Sequence, residues 1–328
     1  MSDLSELQTL RASAVLAGGA GHDVLRATGN DRVSFLHRIT SGKVAGTEPG
    51  QGCRTLLLDV RGRVLTSLLV FVRGKSVRLI APGGQGVETV AGLSKYAIMD
   101  DFQIVLEPDL TTLAVLGPHS ARALAAVGVP VPPSLLEAPL YAHAEVTSEP
   151  FGPLWIAHGR ASGTDGLCVA ASKTARDGLA QALLDRGTPR LSGEIAEALR
   201  VAAMEPKPGN EITPDRFPVE IGLGAAIDHT KGCYVGQETI VRMRDRGIIR
   251  KRLVLLRLAG EATPALGDKL VAQDQAAGQI TSVGCLPGEK PVALAILAAA
   301  IPVGATVRIQ HGEGPLSAEV AAESRPWG

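Results

Sequence analysis

The sequence predicts an α+β protein whose antiparallel body ends in a small antiparallel β-barrel. Three observations carry this. Before residue 250, strands and helices alternate irregularly and hairpins are frequent. No G-x-G-x-x-G or Walker A run marks a doubly wound parallel sheet. After Arg250, short β-rich stretches between glycine turns replace the longer helical periods.

The elements follow in order. Val33, Phe35, Leu36 and Ile39 share a helical face within DRVSFLHRIT, with Asn30 or Asp31 as cap. RTLLLDV and RVLTSLLVFV read as strands meeting at a hairpin turn, Arg61-Gly62. Lys75 to Ile80 is a short strand, broken by Pro82-Gly83-Gly84 before a helix over Val87 to Tyr96. Strands are expected at Asp101 to Leu106, Leu113 to Leu116, Leu154 to Ala157 and Leu167 to Ala170. Helices are expected over His119 to Val127, over Lys173 to Arg186 with Gly187 as its stop, and after Ser192. MEPKPGNEITPDRFPVEIGLG carries four prolines and three glycines, which predicts an irregular excursion. LVLLRL, KLVAQ, QITSV, VALAIL and TVRIQ supply the barrel, roughly 250 to 328.

Composition narrows the function. At 328 residues the chain exceeds a single ordinary core. Lys+Arg and Asp+Glu are both 33, so no global field draws the protein to nucleic acid or an anionic membrane. The longest apolar run, Val292 to Ile301, is too short to span a bilayer. The N-terminus opens on acids, and its apolar part is short and glycine-broken, which predicts a cytoplasmic protein without a secretory signal. The four cysteines are scattered without a C-x-x-C pair, so neither a disulfide framework nor a local metal cage is expected. Cys53, Cys168 and Cys285 read as small buried hydrophobes.

The densest chemistry lies in KGCYVGQE, Lys231 to Glu238. A cation two residues before Cys233 favours the thiolate, the reactive form. Gly232 and Gly236 permit positive φ and close backbone approach. Gln237 and Glu238 offer hydrogen bonds to a heterocycle. The plain alternative is a glycine-bounded turn with a buried thiol and an exposed lysine. Downstream, Arg242, Arg244, Arg246, Arg250, Lys251, Arg252 and Arg257 make either a patch for a polyanion, such as a polyglutamate tail or RNA phosphate, or a solvated strand face. Base-stacking aromatics are missing from this run, so a nucleic-acid partner is not expected.

The run DHTKGCYVGQETIVRMRDRGIIRKRL resembles the signature of the YgfZ family of folate-binding proteins, whose mitochondrial relatives are iron–sulfur assembly factors. GNDRVSFLHRITS, LLLDVRGRVLTSLLV, LGPHSARAL, PGNEITPDRFPVEIGLG, GQITSVG and ALAIL are similar to further family segments, so the resemblance covers nearly the whole chain. It implies the aminomethyltransferase-like fold: two interleaved α+β lobes over residues 1–249, the second roughly 54–110, then the barrel. It also implies tetrahydrofolate or a derivative as ligand and iron–sulfur assembly machinery or client enzymes as partners. The residues it points to are Cys233 and Lys231 for chemistry, and Arg200, Tyr234, Gly236, Gln237, Glu238 and Arg242 for the folate.

Departures from the related aminomethyltransferases stand out. Thr66 and Ser67 occupy the positions of their aspartate pair, and a hydroxyl is no substitute for a carboxylate base at neutral pH. Cys168 replaces the second glutamate of their G-E-x-G-x-E run. Leu199 and Arg200 are kept, while Ala202 and Met204 are not family residues. The expected function is therefore a tetrahydrofolate-binding accessory protein for iron–sulfur cluster assembly or repair. A tetrahydrofolate-dependent one-carbon transferase is the alternative.

Overall fold

The structure, a computed structural model, describes residues 3–17 and 21–327. The glycines that break the N-terminal apolar run, within residues 18–20, lie outside them. The chain divides into two units. The first takes residues up to Leu57, Thr66–Gly193 and Asp228–Val235, and the second takes Leu58–Leu65, Glu194–Ile227 and Gly236 onward.

In the first unit the chain forms α1 (Asp3–Ala12), β1 (Val15–Ala17), β2 (Asp23–Thr28), α2 (Arg32–Ile39), β3 (Gly52–Leu58), β4 (Val64–Val72) and β5 (Val77–Ala81). It continues with α3 (Gly86–Ser94), β6 (Gln103–Leu106), β7 (Leu110–Leu116), α4 (Ser120–Ala126), β8 (His143–Ser148), β9 (Gly152–Ala161), β10 (Thr164–Ser172), α5 (Lys173–Asp185) and β11 (Arg190–Leu191). Two sheets result, ordered β11-β1-β7-β10-β9-β8 and β3-β4-β5-β2-β6. Only β1 with β11 is parallel among the registered pairs.

Sequence chemistry explains the local choices. Ser172 caps α5 by accepting from the Ala175 N–H at 3.2 Å. Gly187, at φ +83°, closes it as the Thr188 N–H reaches Leu183 O and the Gly187 N–H reaches Leu184 O. Asp31 stands at the N-cap of α2, but its carboxylate accepts from the Asp101 N–H at 2.9 Å and leaves the helix uncapped by a side chain. Leu179 and Leu183 of α5 pack with Leu16, Val115, Ile156 and Val169 under the six-stranded sheet. Phe35, Leu36 and Ile39 of α2 pack with Leu25, Leu68, Val70 and Leu79 under the five-stranded one. Each such side chain, fully buried, contributes about 1.5–3 kcal/mol.

The second unit holds α6 (Gly193–Ala202), the irregular excursion, α7 (Gln237–Arg246) and the strands β12 (Lys251–Leu258), β13 (Lys269–Ala272), β14 (Gln275–Gly284), β15 (Val292–Ala298), β16 (Thr306–Gln310) and β17 (Leu316–Glu323). These six strands close a barrel, β12-β15-β14-β13-β16-β17. Val254, Leu256, Leu270, Ile280, Leu297 and Ile309 fill it. The helix α6 lies against β14 so closely that a Cβ at Gly284 would sit 2.6 Å from the Ala198 Cα. The predicted fold class is borne out: antiparallel-sheet and helix body, closed C-terminal barrel. No helix among the described residues is long and apolar enough to cross a membrane.

Two expectations need correction. The first half of the basic run, Arg242 to Arg246, lies on a helix rather than a strand face, while Lys251, Arg252 and Arg257 do lie on a strand, β12. The helix is bracketed by Gly236 and Gly247, at φ +80° and +62°. Cys285 is exposed rather than buried.

Candidate functional site

Lys231 is the best-held residue of the motif. Its half-buried ammonium donates to the carbonyl oxygens of His37, Thr40 (2.6 Å) and Gly42 (2.8 Å). Those carbonyls belong to the end of α2 and the turn after it, where the last carbonyls lack intrahelical partners and carry the negative end of the helix dipole. A cation is the group that such an end accepts best. Asp228 prepares the approach: its Oδ1 accepts from the Thr230 N–H, the Thr230 hydroxyl and the Lys231 N–H, and its own N–H donates to Ser41 O at 3.0 Å. The Thr230 hydrogen bonds hold the Asp228 carboxyl below its ordinary range. The Lys231 ammonium also stands 5.4 Å from the centroid of the buried Tyr234 ring. Burial lowers Lys231 to about 8, against the pull of Asp228 and Cys53.

With three donors on three carbonyls, Lys231 acts first as the pin that fixes the motif to α2. The thiol whose ionisation it favours is Cys53, which burial nonetheless pushes up to about 11. Cys233 is exposed on an irregular stretch between this pin and α7. The turn reading of KGCYVGQE placed a buried thiol beside an exposed lysine, whereas Cys233 is exposed and Lys231 half-buried. Gly232 has no positive φ and nothing within 4 Å of a Cβ. Gly236 has both constraints, since its Cβ would sit 2.4 Å from Asp59 O and 2.8 Å from the Gly62 Cα.

In the second unit, Gly236 therefore sets the start of α7 against the β3–β4 turn. Asp59 shapes that turn by accepting from the Arg61 and Arg63 N–H groups at 2.8 and 2.9 Å. Glu238 and Arg242, four apart on α7, pair with each other and are both well exposed. With Gln237 and Thr239 they are the polar side chains of the helix's first turns.

Arg200 has a different setting. Its Nε donates to Glu197 Oε2 (3.0 Å). Its Nη1 donates to Glu205 O (2.5 Å) and approaches Glu211 Oε2 (3.3 Å). Its Nη2 donates to Glu197 Oε1 (2.8 Å) and Ser282 Oγ (2.6 Å). All five N–H groups are thereby engaged. Ser282 Oγ donates to Glu211 Oε1 at 2.7 Å, and Asn210 reaches Ser282 and Thr281 O. The network joins α6, the excursion and β14. Burial works against the charge on Arg200, but the Glu197 hydrogen bonds and the nearby carboxylates outweigh it and hold Arg200 above its ordinary value. Glu197 is held below its own by the same hydrogen bonds. Every donor of Arg200, expected to hold a folate, is engaged within this network. Glu211, fully enclosed, escaped the sequence reading: a glutamate in a Pro/Gly-rich run has no periodic signal.

The departures from the aminomethyltransferase pattern also take concrete form. Thr66 is buried and donates to Gln85 Oε1 at 2.6 Å. Burial pushes the Cys168 thiol up to about 12, so it is neutral and not a carboxylate equivalent. Asp165 is paired with Arg160 at 2.7 Å across the β9–β10 hairpin. Among the described residues, no group of three or more His, Cys, Asp or Glu is placed to hold a metal ion.

An antiparallel α+β body with a closed six-stranded barrel at its C-terminal end defines a GcvT-like protein. The chain belongs to the family described as the GCVT N-terminal domain, which it matches over residues 3–231. It is similar to the aminomethyltransferase of Prochlorococcus marinus, with 26% identity over 80% of this chain and 72% of the relative. A putative chloroplastic transferase of Arabidopsis thaliana is 25% identical over 79% of this chain, but the match spans only 59% of that relative. The crystal structure of glycine cleavage system aminomethyltransferase T from Bartonella henselae superposes with a TM-score of 0.86 at 23% identity, covering 100% of this chain and 90% of that one, and so shares its fold.

Proposed function

We propose that this chain is a tetrahydrofolate-binding accessory protein of the YgfZ kind, assisting iron–sulfur cluster assembly or repair through Cys233. The observation that carries the reading is the exposed Cys233 thiol two residues beyond a lysine pinned by three carbonyls. A thiol so presented is available to a partner while its backbone is fixed. A single cysteine does not hold a cluster, which takes four thiolates in the common types. Cys233 would therefore act on a cluster ligated mainly by another protein.

The polar residues that start α7 suit a folate: Gln237 and Glu238 supply donors and acceptors for a heterocycle, and Arg242 supplies a cation for a carboxylate tail. Arg200 does not contribute, and neither Cys168 nor Thr66 replaces a carboxylate. A bound tetrahydrofolate would supply a one-carbon carrier. Anaerobic calorimetric titration of tetrahydrofolate into the wild-type chain should show saturable micromolar binding, and no heat of binding would remove the folate part. In a strain lacking the protein, Cys233→Ser should fail to restore iron–sulfur enzyme activity that the wild type restores. Full restoration by Cys233→Ser would refute the role of the thiol.

The names of the curated relatives favour a second reading, a tetrahydrofolate-dependent aminomethyl-type transferase. It lacks a carboxylate base at Thr66 and Ser67. Turnover of methylene-tetrahydrofolate with an amine donor would establish it, and its absence would leave the accessory role.

A further inference from the structure

The strand β5 reads Val-Arg-Leu-Ile-Ala, and all five residues are buried. Val77, Leu79 and Ala81 face the core under α2, so alternation sends Arg78 to the other side with Ile80. An arginine in such a run is anomalous unless its charge is answered. Arg78 is 9% exposed, and its Nε, wholly enclosed, has no hydrogen-bond acceptor among the described residues. The carboxylate facing it, Glu107, stays 3.7 Å from Nη2, beyond hydrogen-bond length. Its Oε1 pairs with Arg26 at 3.0 Å, and its Oε2, the oxygen nearest Arg78, is buried without a hydrogen-bond partner among the described residues. The guanidinium lies instead over Trp155, with Cζ 5.6 Å from the ring centroid.

Arg78 lines a cavity of about 260 Å³ within the first unit. Arg73, from the β4–β5 turn, lines it too and is paired with Glu145 at the rim. Three guanidiniums, on Arg26, Arg73 and Arg78, thus face two carboxylates, on Glu107 and Glu145, and one positive charge is in excess. The rest of the lining is mainly apolar: Leu110, Leu154, Trp155, Ala170 and Ala171 among others. A site for water or an inorganic anion would be polar all round, whereas here Arg78, Arg73, Glu145 and Thr147 share the lining with a larger apolar wall.

We propose that the cavity binds a small organic carboxylate, its anionic group on Arg78 and Arg73 and its apolar body against Trp155, Leu110 and Leu154. The site is independent of the role assigned to Cys233. The test is calorimetric titration of benzoate, isovalerate and succinate into the full chain, with inorganic phosphate as the anion lacking an apolar body. Saturable millimolar or tighter binding of benzoate or isovalerate is expected, weakened about tenfold or more in Arg78→Met. Should Arg78→Met fail to fold, Thr147→Phe, at an exposed lining position, plugs the cavity from its rim and should abolish binding. Three results would each overturn the proposal: no saturable binding of any of the three carboxylates, binding unchanged in the folded variants, or phosphate binding as tightly as benzoate.

Discussion

Replacing Arg200 by methionine would remove five donors at once and leave the enclosed Glu211 facing an apolar chain end. Breaking a buried ion pair by removing one partner costs about 3–5 kcal/mol. Urea unfolding should show a loss of that size, and a loss near zero would mean that the network does not hold α6 to the barrel. The contrast with Lys231 is instructive. Both residues were legible as unusual: one as part of a long motif, the other in a Leu-Arg pair that matches the family pattern. Neither role was. The partners of Lys231 are backbone carbonyls, which any residue supplies, and beyond Glu197 on its own helix the partners of Arg200 are a glutamate and a carbonyl in an aperiodic segment and a serine 82 residues on. Side-chain chemistry is written in the sequence, but the backbone groups it meets depend on how the chain returns on itself.

At the scale of elements, Gly236 decides how the β3–β4 turn and α7 approach. A methyl group there meets both a left-handed φ and the Asp59 carbonyl. Gly236→Ala should cost about 2 kcal/mol or more, since the left-handed penalty alone is about 1–2 kcal/mol. Gly232→Ala, in open space, should fall within about 0.5 kcal/mol of wild type. Thermal melts of the two variants side by side check this, and equal losses would refute the distinction.

The hairpin around Arg61-Gly62, the helix ending at Gly187 and the barrel strands were legible because turn residues bound apolar runs there. The α7 helix was not, because its charges run on past Gly247 into β12 and obscure the spacing of Ile240 and Met243. The two glycines that bracket it were the usable signal. β8, with its HAEVTS sequence, alternates too weakly to stand out beside the proline-rich stretch before it.

For the whole molecule, acid is the informative stress. His143 accepts from the Trp155 Nε1–H on Nδ1 at 3.0 Å, so its proton sits on Nε2 and points to Val72 O at 3.0 Å. Burial, with Arg73 in support, lowers its pKa despite the Val72 and Gln51 carbonyls and Glu145. The unfolded chain therefore takes up a proton first as pH falls. The stabilisation from neutral His143 is complete above about pH 6.5, the unfolded value, and is lost as pH falls toward the lower folded one. Denaturant midpoints should drop across this window by more in the wild type than in His143→Gln, and parallel curves would show that His143 is not responsible.

The closed barrel has a consequence for how this protein would aggregate. Every barrel strand has a neighbour on each side, so none offers a free ladder of N–H and C=O groups to another chain. The open sheets do. β6, at the end of the five-stranded sheet, is four residues long and carries an exposed Val105. Intermolecular strand addition on heating would thus begin in the first unit, with the barrel recruited only after it opens.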